Sequence, residues 1–260
     1  MELTPVARDL LPEVRRLLAS ADALRPLAQS LARGEAGMLS LAFVSTADYS
    51  LLSALLREFG ARYPGVRLQL TEATSDVQIE ELVVGHIDAG LVIPPLPPRH
   101  AMLLSYLPVA GRRSPVAGRA RAARDRDIGG AASKIGTERQ RTGQSARTGR
   151  RAAGRLPETA CPGLYDIVMG CYGAAGLTPR IGQEAIQMQT IVSPVSAGMG
   201  VALVPESLRH LRRTGVMYRP LLGAGPSVET GLVWRRAEVS PVLAGFIEIV
   251  RSRPAAPSAL

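Results

Sequence analysis

Several things are scarce in this sequence, and each scarcity removes a class of protein. Its 260 residues include two cysteines, Cys161 and Cys171, three histidines and one tryptophan. Two thiols build neither a disulfide framework nor a cysteine-rich metal centre. No uninterrupted apolar run reaches the roughly eighteen residues that a membrane-spanning helix needs. Glu2 and Asp9 interrupt the first leucines, and no apolar core of a secretory signal is present. A soluble, cytoplasmic protein is expected, and at 46% hydrophobic residues the chain is long enough to bury a sizeable core.

A catalytic constellation is also missing, so the chain is not read as an enzyme. His86 precedes a strand, His100 lies in a proline-rich segment and His210 stands beside Leu211 and several arginines. None has a partner at metal-ligand spacing, so no metal is expected. Cys171 falls on a predicted helix and reads as a small core residue. No serine sits in a G-x-S-x-G elbow. Gly198-x-Gly200 is followed by a strand, with Leu203 where a third glycine would stand, so a dinucleotide fingerprint fails and no cofactor is expected.

The net charge of +9 is local. Residues 109–160 hold thirteen of the 31 basic residues and four of the 22 acidic ones, which leaves eighteen of each elsewhere. The window is rich in Arg, Gly and Ala, has no aromatic residue, and shows neither a helical nor a strand period. It is expected to be disordered or poorly packed, because it buries too little apolar surface to offset its ordering entropy. Specific nucleic-acid recognition is not expected there: the arginines have no aromatic interleaving and no motif. Thr142 to Gly149 has glycines but lacks the Lys-Ser/Thr of a phosphate loop.

What is present is strongly patterned. Thr4-Pro5 starts a long helix over residues 4–33, about 45 Å at 1.5 Å per residue. Along it Leu10, Val14, Leu17, Ala21, Leu24, Ala28 and Leu31 recur at spacings of four and three. That is a heptad seam for pairing with a second helix. Pro12 and Pro26 are expected to kink it, and Gly34 and Gly37 close it. Residues 37–95 then read β-α-β-α-β. The strand Leu39–Val44 leads through Ser45, Thr46 and Asp48 into an amphipathic run, Leu51 to Tyr63. Val66, Leu68 and Leu70 alternate with Arg67 and Gln69 as a second strand. Ser75-x-x-Gln78 reads as a capping box for a helix ending near Gly85, and Ala89–Ile93 closes the unit before Pro94-Pro95.

Such a unit implies a parallel sheet with a ligand mouth at the carboxyl ends of its strands. Ser45, Thr46 and Thr74 fall there, with Ser75 as the cap of the following helix. Backbone N–H groups and hydroxyls in that position suit a carboxylate, although helix capping alone would also account for Ser45 or Thr46. Ile93 reads as hinge packing. The chain crosses to a second lobe through Leu103–Pro108. It resumes with a helix over Leu164–Tyr172, a short strand Ile181–Ala185 and a helix from Met188 that Pro194 interrupts. Strands at Val201–Pro205, Val216–Leu222 and Thr230–Arg235 precede a closing helix, Pro241–Arg253.

Leu39–Val44, Phe59–Val66, Leu70–Thr74, Gly85–Val92 and Ser196–Pro205, in this order and spacing, resemble the regulatory part of LysR-type transcriptional regulators. The resemblance implies an α/β, periplasmic-binding-protein-like (type 2), two-lobed domain preceded by a long linker helix. It implies a small anionic effector in the cleft, with Gln189 and Thr190 of the second lobe joining Ser45, Thr46 and Thr74. It implies a homodimer or homotetramer, and DNA binding through an N-terminal winged helix-turn-helix.

On that basis residues 1–34 are the dimerisation helix, 37–104 with 216–253 are lobe I, and 105–215 are lobe II. Leu3–Ala7 resemble the tail of the winged domain, so the chain is expected to be truncated and to reach DNA only with an intact partner. Residues 109–160 do not resemble the family's second lobe. An altered reading frame would explain an arginine-rich stretch of ordinary length. A solute-binding protein of the same fold and a degraded gene product are the alternatives.

Overall fold

The computed structural model describes residues 4–47, 51–109, 114–122, 152–155, 162–174, 178–185, 187–219 and 227–253. Among them no helix is long and apolar enough to cross a membrane. The first helix, α1 (Pro5–Ala32), begins as the sequence predicts: Thr4 is the N-cap, its hydroxyl accepts the Ala7 N–H at 3.2 Å, and Pro5 opens the helix. Pro12 and Pro26 both lie within it, and the helix is assigned as one element through both.

Its end is a Schellman closure, in which Gly34 donates to the Leu31 carbonyl and Glu35 to that of Ser30. Gly34 has φ +70°, and a Cβ there would fall 2.7 Å from the Pro241 backbone. Glycine satisfies both the left-handed turn and the close approach. The helix buries no residue. Every seam residue, from Leu10 to Leu31, is exposed, Leu17 at 71% and Leu24 at 64%.

The first sheet has the order β2-β1-β3-β11-β4, built from β1 (Ala36–Phe43), β2 (Gly65–Glu72), β3 (Ala89–Val92), β4 (Leu104–Pro108) and β11 (Gly231–Arg235). β1 pairs in parallel with β2 and β3, whereas β11 runs antiparallel to β3 and β4. The period of two splits its side chains between two cores. Leu39 and Leu41, Ala89 and Leu91, and Leu232 and Trp234 join the larger core, with Phe59 of α3 (Ser53–Arg62) and Phe246 of α7 (Pro241–Ser252). Ala42, Val92 and Val233 face Ile79 and Leu82 of α4 (Ser75–Val84) on the other side. β2 is an edge strand. Val66 and Leu68 are half-buried against the core, but Leu70 is 42% exposed, so the alternation fades toward the strand's end.

Two polar contacts tie the elements of this lobe together. Asp88 and Ser40 exchange bonds: the Ser40 N–H donates to the Asp88 carboxylate at 2.8 Å, and the Asp88 N–H to the Ser40 carbonyl at 2.9 Å. Arg235 donates to the carbonyls of Leu82 at 2.7 Å and Ile87 at 3.0 Å, a cation at a helix C-terminus where the backbone dipole favours one.

The second sheet contains β5 (Ser114–Ala122), β6 (Ala152–Arg155), β7 (Arg180–Glu184), β8 (Gly200–Pro205), β9 (Val216–Arg219) and β10 (Ser227–Val228), in the order β10-β5-β8-β6-β7 with β9 also on β5. Three expectations change here. First, β5 and β6 lie inside 109–160, so the whole window is not outside the fold; β5 is held by β8, β9 and β10. Its composition hides a strand whose partners are remote in sequence. Residues 110–113, 123–151 and 156–160 lie outside the described set.

Second, Leu104–Pro108 belongs to the first sheet, zipped to β11 from Arg235 to Gly231, so the crossover begins only at Val109. Third, β9 pairs with β5, which moves residues 216–219 to the second lobe. The return crossover lies beside the outgoing one. Val109 donates to the Thr230 carbonyl at 3.0 Å, and the Tyr106 hydroxyl to Glu229 at 2.8 Å. Burial, reinforced by that bond to Glu229, pushes the Tyr106 phenol well above its ordinary pKa.

Candidate functional site

The carboxyl ends of β1, β2 and β3 open on one cavity of about 60 Å³. Val44, Ser45 and Thr46 line it from the turn after β1, Glu72, Ala73 and Thr74 from the turn after β2, and Ile93 from the end of β3. The second lobe adds Leu164 of α5 (Pro162–Ala174) and Gln187 and Met188 at the start of α6 (Met188–Ser196). The site therefore lies between the lobes, at the strand ends where the sheet's topology predicts it.

The turn after β1 is set by two backbone bonds, Val44 N–H to the Leu91 carbonyl at 3.1 Å and Ala47 N–H to that of Val44 at 2.9 Å. Ser45–Ala47 form a single short turn, α2, with Thr46 buried. Thr74 is the N-cap of α4, but its side chain makes no capping bond. Ser75 is not the cap that the sequence suggests: it is the first helical residue, and its hydroxyl accepts the Ile93 N–H at 3.1 Å.

Nor does Gln78 close a capping box. Fully buried, it donates to the Ala73 carbonyl at 2.8 Å. Both contacts run from α4 to backbone that lines the cavity. Ser75 holds the wall formed by β3, and Gln78 holds the turn that presents Thr74. Ile93 consequently does more than pack at the hinge, since it forms part of the cavity wall.

Ser45, Thr46 and Thr74 come together as the sequence predicts. Gln189 and Thr190 do not join them: both are exposed, and Gln187 and Met188 take their place. The reason is helical phase. α6 buries Met188, Ile191, Val192 and Val195, spacings of three and four that define its inward face. Residues 189 and 190 are turned about 100° and 200° away from Met188. The periodicity of that apolar stripe was the signal that could have placed Met188 inside.

The lobes meet closely at the cavity's edge. A Cβ on Gly163, in the first turn of α5, would fall 2.1 Å from the Pro94 carbonyl oxygen and 3.3 Å from the Pro95 ring. Cys171, on the same helix, is half-buried, and burial raises its thiol pKa. Among the described residues no group of three or more His, Cys, Asp or Glu side chains could hold a metal ion.

Comparison with known proteins fits this geometry. The LysR substrate binding domain family matches residues 32–122 and 155–255. The match therefore runs through β5. The HTH-type transcriptional regulator IlvR of Caulobacter vibrioides is 43% identical over 257 residues, covering 99% of this chain and 81% of the relative. AlsR of Bacillus subtilis is 32% identical over 96% of the chain and 77% of its own length.

The crystal structure of CbnR, a LysR family transcriptional regulator, superposes with a TM-score of 0.73 at 26% identity, over 96% of this chain and 81% of that one. The BenM effector binding domain with benzoate shares the fold, with a TM-score of 0.61 at 22% identity over 83% of this chain and 90% of that one. The chain belongs to the LysR-type transcriptional regulators and contains their substrate-binding domain.

Proposed function

We propose that this chain is the effector-sensing and dimerising part of a transcriptional regulator, acting in the cytoplasm and without catalysis. The observation that carries this reading is the cavity shared by both lobes, with Ser45, Thr46 and Thr74 on one side and Leu164, Gln187 and Met188 on the other. A small anionic effector would rest on the hydroxyls and draw the second lobe onto itself. Ligand energy is thereby converted into a shift in lobe arrangement, to the extent that the closed state binds more tightly. Ser45→Ala and Thr46→Val remove the hydroxyls with little change in volume. Each is expected to weaken binding of butyrate about tenfold in calorimetry, the scale of a lost hydrogen bond to a charged group. Unchanged affinity in both variants would remove the site.

Residues 1–34 would supply the dimer contact. The seam from Leu10 to Leu31 is apolar, continuous and exposed in one chain, the state of a coiled-coil half without its partner. The double variant Leu17→Glu/Leu24→Glu places carboxylates in the centre of that seam. Light scattering is expected to show a dimer mass for the parent chain and a monomer mass for the variant. A parent chain that is already monomeric at micromolar concentration would overturn the dimer assignment. Contact with DNA would run through a winged helix-turn-helix, joined to α1 in the same chain or carried by a partner; full-length CbnR, which shares the fold, has been crystallised with its target DNA.

A further inference from the structure

The two walls of the cavity differ in chemistry, and that difference selects a class of ligand. Lobe I contributes three hydroxyls, Ser45, Thr46 and Thr74, together with Glu72 and Ala73. Lobe II contributes Leu164 and Met188, each 2% exposed, beside the Gln187 amide. Val44 and Ile93, also buried, continue the apolar lining on the lobe I side. The cavity is small, about 60 Å³. That is room for a carboxyl group with a short hydrocarbon tail.

Resting on the effector-binding reading above, we infer that the ligand is a short aliphatic monocarboxylate, with its carboxylate on the lobe I hydroxyls and its tail covered by Leu164 and Met188. The charged end finds donors, and the hydrocarbon tail gains from leaving water against buried apolar side chains. A dicarboxylate of the same length would press its second charge against Leu164 and Met188, where an unpaired ion is expensive to desolvate. The two lobes thus read different parts of one molecule. Lobe I recognises the charge, and lobe II recognises the length and branching of the tail.

Calorimetry on the full chain with acetate, propionate, butyrate, isovalerate, succinate and benzoate tests this without any variant. Affinity is expected to rise about fourfold per added carbon, the equivalent of ~0.8 kcal/mol per buried methylene, until the cavity is full. Butyrate and isovalerate should each bind at least tenfold more tightly than acetate and than succinate. Met188→Ala should reduce the gain per carbon, whereas Ser45→Ala should weaken the whole series by a common factor.

If succinate equals butyrate, or benzoate exceeds isovalerate, the aliphatic class is wrong. A loss of affinity on Ser45→Ala in that case would leave the effector site standing. If none of the acids binds to a chain that melts cooperatively, both the ligand class and the effector-site reading fall.

Discussion

Gly163→Ala is expected to weaken binding of small carboxylates by about ten- to a hundredfold, although residue 163 does not line the cavity. The added methyl would stand 2.1 Å from the Pro94 carbonyl oxygen, with the Pro94 carbonyl carbon at 3.1 Å. Backbone cannot swing aside as a flexible side chain can. The first turn of α5 must therefore retreat from lobe I by about an ångström, carrying Leu164 with it. Overpacking of this kind costs ~1–3 kcal/mol, and here the cost falls on the arrangement in which the lobes touch. Since 1.4 kcal/mol is a tenfold change in affinity, the stated range follows. Calorimetry with butyrate measures it, and a melting temperature close to that of the parent would show that the lobes themselves remain folded. Parent-like affinity would mean that the lobes do not need this contact to hold a ligand.

Phe246→Ala is expected to cost ~3–5 kcal/mol of unfolding free energy, the usual range for a buried phenylalanine cut to alanine. Phe246 is 0% exposed and meets Phe59 edge-on, with ring centroids 5.4 Å apart. Phe59 in turn lies 5.0 Å from the ring of Tyr63. The ring pair therefore joins α3 to α7, and both helices cover the same face of the first sheet. Removing one ring leaves a hole in a core whose other members, among them Leu39, Leu41 and Leu243, are themselves fully buried. Urea titration should show a lower midpoint with an unchanged slope, the sign of lost stability without altered cooperativity. A loss below about 1 kcal/mol would mean that the core relaxes around the cavity more fully than rigid packing allows.

The parts legible in the sequence are those fixed by neighbouring residues. Thr4-Pro5 and Gly34 mark both ends of α1 because capping is a local matter. The β-α-β-α-β unit shows in its apolar periodicity, and Ser45, Thr46 and Thr74 follow from where strands end in a parallel sheet. The errors arise where a remote partner decides. Ser75-x-x-Gln78 fits a capping box, yet Ser75 is taken by Ile93 and Gln78 by the Ala73 carbonyl. Leu104–Pro108 reads as a path between lobes because β11, which pairs with it, comes more than a hundred residues later. β5 carries no apolar pattern of its own, and its place is set by β8, β9 and β10. At Gln189 and Thr190 the resemblance points to a helix whose start reaches the cavity, but helical phase rather than order along the chain decides which of its residues face it.

The joint at Gly34 has a mechanical consequence. Because its backbone lies directly on that of Pro241, α1 and the start of α7 meet with no side chain between them to absorb movement. The 28 residues of α1 extend about 42 Å from this point, which makes the helix a lever with a very short inner arm. A tilt of about 5° in the lobe beneath the joint would carry the far end of α1 by about 4 Å, comparable to the ~3.4 Å axial rise per base pair of a duplex. Gly34 would thus serve as a fulcrum, enlarging small motions of the sensing domain before they reach whatever the other end of the helix holds.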